Sequence, residues 1–217
     1  MGLRTACRKL FYRKIVFIDE THFWLNWCVI KQNCRMWTKK KPGAIQESPM
    51  HPEKCTFWCG LNAGSMIGPY FFKDDQNRNV TVNGACYRAM ISVFFFARNG
   101  KAGFVDMWFQ QDASTCHTSC ESVKILRYEF GEQFISWIGP VNWTPRSCDW
   151  TPLDYFLLGS LVYADKPTTI PALEDNITRV NREIPAEMLG KVTRNWTFHM
   201  DHLKRSRGQH LNDIFKK

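Results

Sequence analysis

The sequence predicts an α/β domain built around one mixed sheet, with helices flanking it and concentrated in the second half of the chain. Three observations predict this class: an apolar strand at 15–19, a hairpin pattern at 55–72, and apolar residues at helical spacing beyond 170. The chain has 217 residues, of which 44% are hydrophobic and 14% aromatic. This is enough to bury the core of one generous domain or two small ones.

The first half of the chain predicts strands separated by a long basic loop. Residues 15–19 have the composition of a buried strand that ends in a carboxylate. Residues 24–54 lack clean periodicity and include three consecutive lysines and three prolines, which indicates a long loop inserted after the first strand. The segments 55–61 and 66–72 predict a hairpin that turns at 62–65.

The remaining elements are predicted mainly as helices. Residues 83–98 have near-helical apolar spacing, and a further apolar run at 104–111 ends at Asp112. Pro171 suits a first helical turn, and Pro185 separates two helices. The apolar stripes of these two helices predict core residues: Leu173, Ile177, Val180 and Ile184 in the first, and Met188, Leu189, Val192, Trp196 and Leu203 in the second.

The net charge and the cysteine content indicate which kinds of partner and which cellular environment to expect. The formal net charge of +9 favours a polyanionic partner, with nucleic acid first and an acidic membrane surface second. No apolar stretch approaches the roughly 20 residues of a membrane helix, and the N-terminus has no signal-peptide core, so we expect a soluble intracellular protein. The nine cysteines are an odd number. Free thiols on buried strands and a helix are therefore favoured over disulfides, and zinc ligation at Cys55 and Cys59 or around Cys116 and Cys120 is the weaker alternative.

Two predicted strands end in aspartate, at Asp19 and Asp112. Carboxylates at neighbouring strand ends repel each other unless a divalent cation neutralises them. Magnesium prefers oxygen ligands and keeps positions open for water and phosphate. The pattern is therefore compatible with a metal site at one edge of the sheet, although aspartate is also common at strand ends without any such role.

Six strings, in order along the chain, resemble the catalytic domain of Tc/mariner transposases, most of all the arthropod mariner-like elements. The strings are IVFIDETHF (15–23), KQNCRMW (31–37), FWCGLNAGSMIGPYFF (57–72), VTVNGACYRAM (80–90), MWFQQDASTCHT (107–118) and PRSCDWTPLDYFL (145–157). The likeness continues through VYADKPTTI (162–170) and RSRGQHLNDI (205–214). It implies a ribonuclease-H-like mixed sheet flanked by helices, with three acidic residues that bind two divalent cations, magnesium or manganese.

Carried over to this sequence, the resemblance assigns the catalytic and metal-binding acids to Asp19, Asp112 and Asp154. Asp149 is the competitor for the third position, where the family's aspartate is read as structural. His117 closely follows the second acid, and a structural role is favoured for it over contact with the site or with DNA.

The resemblance also implies an activity and partners. The implied reaction is metal-dependent DNA strand cleavage and strand transfer at transposon ends, carried out by a homodimer that forms through the 24–54 loop. Backbone contacts to DNA are assigned to five basic residues of that loop, although a solvated charged loop is an equal reading; these residues are Lys31, Arg35, Lys39, Lys40 and Lys41. A nuclear location follows from the family, and neither a membrane nor a small-molecule substrate is implied.

The chain departs from the family pattern at its front. Residues 1–14 form a short basic remnant before the catalytic domain at 15–217, where relatives carry paired helix-turn-helix modules. We therefore expect salt-sensitive backbone binding without end recognition. Two other functions stay open. One is an inactive relic or domesticated DNA-binding protein that inhibits full-length transposase through mixed dimers, and the other is a cellular ribonuclease or integrase-like enzyme.

Overall fold

The computed structural model describes residues 11–25, 53–62, 64–96, 106–143, 153 and 161–205, and at 199 and 202–205 it describes only the backbone. Six strands form one sheet: Ile15–Trp24 (β1), Lys54–Asn62 (β2), Ser65–Phe71 (β3), Trp108–Gln110 (β4), Phe134–Ser136 (β5) and Val141–Asn142 (β6). Their order across the sheet is β3-β2-β1-β4-β5-β6. The β1–β2 and β2–β3 pairs are antiparallel, and the pairs from β1 through β4 and β5 to β6 are parallel. The predicted mixed sheet is confirmed.

Helices flank this sheet, and a 3₁₀ turn at Phe11–Lys14 precedes β1. The helices are Gly84–Ala89 (α1), which continues as a π-helical segment at Met90–Phe95, Thr115–Thr118 (α2), Cys120–Phe130 (α3), Ile170–Glu183 (α4) and Ala186–Arg205 (α5). In the part of the chain that the structure describes, none of these helices has the length and apolar character needed to cross a bilayer.

The two faces of β1 belong to two different apolar clusters. Phe17 points toward α4 and α5, where its ring lies 4.8 Å from that of Trp196. Val16 and Ile18 belong to the opposite cluster, which α1 and α3 cover. Residues 15–18 are all buried, as expected for a central strand covered on both sides.

The first strand is longer than the sequence predicts, and this moves Asp19 away from a strand end. β1 continues to Trp24 because β2 pairs with it throughout, from Phe17 opposite Leu61 to Trp24 opposite Lys54. Asp19 therefore lies inside β1, opposite Cys59. The prediction that Asp19 ends its strand is wrong, because β1 and its partner β2 both continue past it. On the other side of β1, however, β4 ends at Gln110, which pairs with Phe17, two residues before Asp19.

Local sequence signals explain where the helices begin. Asn83 caps α1 by accepting a hydrogen bond from the Cys86 amide, and Thr169 caps α4 by accepting one from the Ala172 amide. Pro171 lies in the first turn of α4, as predicted. The predicted hairpin and the two helices on either side of Pro185 are also confirmed.

Among the described side chains, the buried stripes of α4 and α5 agree with the prediction except at one residue, and the predicted core residue Leu203 lies outside these side chains. Leu173, Ile177, Val180, Leu189 and Trp196 are buried in one cluster, with Ile184 and Val192 packed against it. Met188, however, is 42% exposed. Leu189 occupies the core-facing position next to it, so Met188 lies toward solvent on the adjacent side of the helix.

Free thiols account for the five cysteines among the described residues. Cys55 and Cys59 on β2 are buried, as predicted, whereas Cys120 at the start of α3 is exposed. Burial and the nearby Glu174 carboxylate raise the pKa of the Cys55 thiol to about 12, although Lys73 acts in the opposite direction. Cys55 is therefore a protonated core residue at neutral pH.

Glycine is required at Gly68, beside the irregularity in the β2–β3 pairing. Its φ is +112°, and a Cβ atom there would lie 3.0 Å from the Trp58 carbonyl oxygen. Gly131 also has positive φ, +58°, but has open space around its Cβ position. We expect Gly131→Ala to lower the free energy of unfolding by about 1–2 kcal/mol through backbone strain. Gly68→Ala should cost at least about 1 kcal/mol more in urea unfolding, and equal losses would contradict the close contact.

Candidate active site

β1 and β4 bring Asp19 and Asp112 to the same level of the sheet. The last parallel pair between these strands joins Phe17 to Gln110, and each aspartate follows two residues after its member of that pair. Adjacent strands lie about 4.8 Å apart. β4 ends at Gln110 while β1 continues, so the sheet opens beside Asp19 at the point where Asp112 leaves β4. The strand register thus brings the backbone positions of the first two predicted acids to the same level of the sheet.

The carboxylate of Asp112 is held by three hydrogen bonds from its own loop and from α2. Oδ1 accepts from the Ser114 amide at 2.9 Å and from His117 Nδ1 at 2.5 Å. Oδ2 accepts from Ser114 Oγ at 3.1 Å. The Asp112 side chain is nevertheless 48% exposed, so this carboxylate is fixed in orientation and still open to solvent.

His117 bridges two carboxylates that come from different strands. Its side chain is 1% exposed, and its Nε2 lies 3.1 Å from Glu20 Oε1 and 3.0 Å from Glu20 Oε2. The Tyr87 ring packs on the imidazole with ring centroids 4.4 Å apart. A carboxylate oxygen faces each ring nitrogen, and although burial opposes the charge, these neighbours raise the pKa of His117 well above its ordinary value, which favours the ring with both nitrogens protonated.

Buried polar contacts support His117 from behind. Tyr87 donates its hydroxyl to Gln111 Oε1 at 2.6 Å. Gln111 Nε2 donates to the His117 carbonyl at 2.9 Å and to Ser136 Oγ at 3.0 Å. These contacts connect β5, α1 and α2 beneath the carboxylates.

The solved structures that align with this chain include complexes and the catalytic domain of the Mos1 transposase. The Mos1 transposase paired-end complex with the left transposon end aligns with a TM-score of 0.71 and 17% identity, covering 96% of this chain and 59% of that one. The Mos1 catalytic domain with Raltegravir and Mn aligns at 0.69 and 16%, covering 97% and 90%. The Mos1 strand transfer complex aligns at 0.67 and 17%, covering 96% and 59%.

The chain has the fold of the Mos1 mariner transposase catalytic domain. The ribonuclease-H-like fold predicted from the sequence is thereby confirmed. The chain spans about three fifths of the transposase chains in the paired-end and strand transfer complexes, which have coverages of 59%. Comparisons with protein-family models and with curated proteins give no match.

Within this Mos1-like fold, the predicted residues divide into those the structure describes and those it does not. Asp19 and Asp112 are described, and each lies two residues beyond the Phe17–Gln110 pair. The other predicted residues lie outside the described ranges, so their assignments stay predictions. They are Asp154 and its competitor Asp149, and the five basic residues predicted to contact DNA, Lys31, Arg35, Lys39, Lys40 and Lys41.

Two residues of the site have no signal in the sequence, and a third has a larger role than the sequence predicts. Glu20 is adjacent to Asp19 but reaches His117, which is 97 residues away, so no local pattern indicates the contact. Gln111 precedes Asp112 at the end of an apolar run. Its importance becomes visible only in the structure, where its side chain is 0% exposed. His117 is predicted mainly as structural, whereas the structure shows it bonded directly to Asp112.

The described residues offer two carboxylates to a divalent metal ion. Asp112 Oδ1 already accepts two hydrogen bonds, whereas Oδ2 accepts one from a side-chain hydroxyl that can rotate away, so Oδ2 has a lone pair to offer. Within the described ranges, no three His, Cys, Asp or Glu side chains converge as a metal site. Asp19 and Asp112 fit two ligands of an oxygen-rich site whose third predicted member, Asp154, lies outside those ranges.

The charges of the site set a pH window for stability in the metal-free protein. Burial opposes the charge on His117, but Glu20, Tyr87 and Asp112 hold its pKa well above the ordinary 6.5. Burial likewise opposes ionisation of Asp112, but the hydrogen bond and charge of His117 and the Ser114 bonds hold its pKa below 3.8. The His117 contribution is therefore complete below pH 6.5 and is lost as pH rises through its folded pKa. The Asp112 contribution is complete above pH 3.8 and is lost as pH falls through its folded pKa.

We therefore expect the two contributions to be complete together between about pH 4 and pH 6.5. The measurement is urea unfolding of wild type and His117→Gln across pH 3–9 without divalent metal. The stability difference between the two proteins should shrink as pH rises above 6.5, because only wild type carries the imidazolium. A difference that grows with pH above this value would contradict the charged bridge.

Proposed function

We propose that this chain is the catalytic domain of a mariner-like transposase that cleaves DNA strands at transposon ends and joins them to target DNA. The observation that supports the proposal is the parallel pairing of β1 with β4, in which Asp19 and Asp112 each follow two residues after the Phe17–Gln110 pair. The Mos1 neighbours include complexes with transposon ends, a strand transfer complex, and structures with Mn and Mg. These are structures of Mos1, and they support the same class of reaction here.

In the proposed site, Asp19, Asp112 and Asp154 hold two divalent cations, magnesium or manganese. Such ions, when bound, supply the positive charge that activates water or a 3′-hydroxyl and stabilises the leaving oxygen. The chain's own residues supply the arrangement. Asp19 is held by β1, which pairs with β2 on one side and, up to Phe17, with β4 on the other. Asp112 is held by its hydrogen bonds with Ser114 and His117.

The proposal includes DNA as the partner, which the net charge of +9 favours. It also includes a homodimer formed through the 24–54 loop, backbone contacts from the basic residues of that loop, and residence in the nucleus. The basic contacts are testable by salt dependence, because each phosphate neutralised releases counterions.

Replacing Lys39, Lys40 and Lys41 together by alanine should weaken DNA binding and lower the slope of log K against log salt by up to about 3, at roughly 0.9 for each phosphate that is no longer neutralised. The matched control removes three exposed positive charges elsewhere, by Lys124→Ala, Arg127→Ala and Arg194→Ala. Fluorescence anisotropy with one duplex between about 50 and 300 mM salt measures both triple variants. Equal slopes for the two would contradict contact by the lysines.

The experiment that tests the activity is nicking of supercoiled plasmid by the purified chain with manganese, with a chelator control and the Asp19→Ala variant. The proposal expects nicking by wild type that both the chelator and Asp19→Ala abolish. Salt-dependent DNA binding by both proteins with nicking by neither would favour the non-cutting relic. Cleavage of an RNA–DNA hybrid exceeding that of DNA would favour a ribonuclease.

A further inference from the structure

We propose that His117 and Glu20 are positioning residues that hold the Asp112 carboxylate in one orientation toward the metal site. Glu20 holds the His117 ring, and His117 holds Asp112. This inference rests on the proposed function, in which Asp112 is a metal ligand. It assigns a role to a pair of side chains that are not among the predicted metal ligands or DNA-contacting residues.

The neighbouring residues Asp19 and Glu20 have different roles because they lie on opposite faces of β1. Side chains alternate between the faces of a strand, so Asp19 and Glu20 point to opposite sides. Glu20 shares its side with Val16 and Ile18, which pack in the cluster that contains Tyr87. His117 lies on this same side against the Tyr87 ring. β1 thus supplies the candidate ligand Asp19 on one face. On its other face it supplies Glu20, which holds His117 and through it the second candidate ligand, Asp112.

The bonds to Asp112 leave one of its oxygens for a metal. Among the described residues, Oδ1 receives the Ser114 amide and His117 Nδ1, and Oδ2 receives the Ser114 hydroxyl alone. Rotation of the carboxylate would break both bonds to Oδ1 at once. A ligating carboxylate that is itself hydrogen-bonded in this way is held in its productive orientation before the metal arrives.

His117 is in turn held on every side that the structure describes. Nε2 meets both Glu20 oxygens, the ring packs on Tyr87, and the backbone carbonyl accepts from Gln111 Nε2. The His117 side chain is 1% exposed and that of Glu20 is 12% exposed, so water has little access to replace these contacts. Movement of His117 is therefore restricted, and so is that of Asp112.

Two substitutions of His117 separate positioning from simple packing. The amide nitrogen of asparagine can take the place of Nδ1, so His117→Asn retains a donor to Asp112 and loses Glu20. The amide nitrogen of glutamine can take the place of Nε2, so His117→Gln retains a donor to Glu20 and loses Asp112. Both replace a ring by an amide in the same buried site, and each is a control for the packing loss of the other.

The measurement is manganese affinity of the full chain by calorimetry and by the electron spin resonance of bound manganese, beside urea unfolding. We expect His117→Gln to bind manganese at least about 10-fold more weakly than His117→Asn, within the roughly 10–100-fold range typical of residues that support metal ligands. The two variants should unfold at similar urea concentrations. Equal manganese affinities at equal stability would overturn the positioning role.

Glu20 supplies a second comparison if the His117 variants fail to fold. Glu20→Gln keeps an acceptor for Nε2, whereas Glu20→Ala removes it, so manganese affinity should fall about 10-fold in the alanine variant relative to the glutamine variant. Equal affinities in this pair also overturn the proposal. If variants and wild type bind manganese and nick DNA alike, the positioning role fails and the proposed function stands. If folded wild type neither binds manganese nor nicks DNA, the proposed function fails and the positioning role with it.

Discussion

Asp112→Asn is expected to lower manganese-dependent plasmid nicking by roughly 1,000-fold, because a neutral amide cannot replace a charged ligand and each ~1.4 kcal/mol lost from the transition state slows the reaction tenfold. The side chain keeps its size, so the loop through Ser114 should retain its course. His117 keeps Glu20 as one counter-charge. The variant should therefore fold, with a free energy of unfolding lower by about 1–3 kcal/mol for the weakened buried contact.

The matched control is Asp165→Asn, which makes the same chemical change at an exposed side chain paired with Arg179. We expect this variant to nick at the wild-type rate. A folded Asp112→Asn that nicks within about 10-fold of wild type would show that Asp112 is not a ligand, since such a loss is less than the removal of a metal ligand should cost.

The largest expected effect on stability is at Phe109, on the strand that leads to Asp112. Its ring is 0% exposed and lies 5.4 Å from that of Phe95 and 5.1 Å from that of Phe130. Phe109→Ala should lower the free energy of unfolding by about 3–5 kcal/mol, because it removes this burial and leaves a cavity between β4, the π-helical segment and α3.

The control for Phe109→Ala is Val93→Ala in the same π-helical segment. Val93 is 72% exposed, and its truncation should change the free energy of unfolding by no more than about 0.5 kcal/mol. Equilibrium urea unfolding measures both variants. A loss below about 1 kcal/mol at Phe109 would mean that β4 is not packed as described.

The sequence predicts the elements whose signals are local. The apolar run before Asp19, the hairpin around Gly64, and the breaks at the prolines each arise from neighbouring residues. β5 and β6 have no such signal, because they are three and two residues long and are defined by pairing with distant strands. α2 has only four residues and is too short to show a helical period, whereas the buried residues Val123, Leu126 and Phe130 of α3 recur at helical spacing, so α3 does carry a local signal.

In the candidate site as well, some residues can be predicted from their local sequence and others only from contacts between distant parts of the chain. Asp19 and Asp112 stand in recognisable strings, and the β1–β4 register brings their backbone positions to the same level of the sheet. Glu20 and Gln111 act through partners that only the fold brings near: His117 for Glu20, and Tyr87 and Ser136 for Gln111. A string match identifies candidate ligands, but it does not reveal the residues that orient them.

Asp19, Asp112 and Asp154 are proposed to form one metal-dependent DNA-cutting site, and the role of the third aspartate is open to a direct test. Wild type, Asp154→Ala and Asp149→Ala are compared for nicking of supercoiled plasmid with manganese, after each is shown to be folded. We expect nicking by wild type and Asp149→Ala, and none by Asp154→Ala. Nicking by Asp154→Ala with none by Asp149→Ala would contradict the assignment of the third acid, and a folded wild type that never nicks would contradict the proposed site itself.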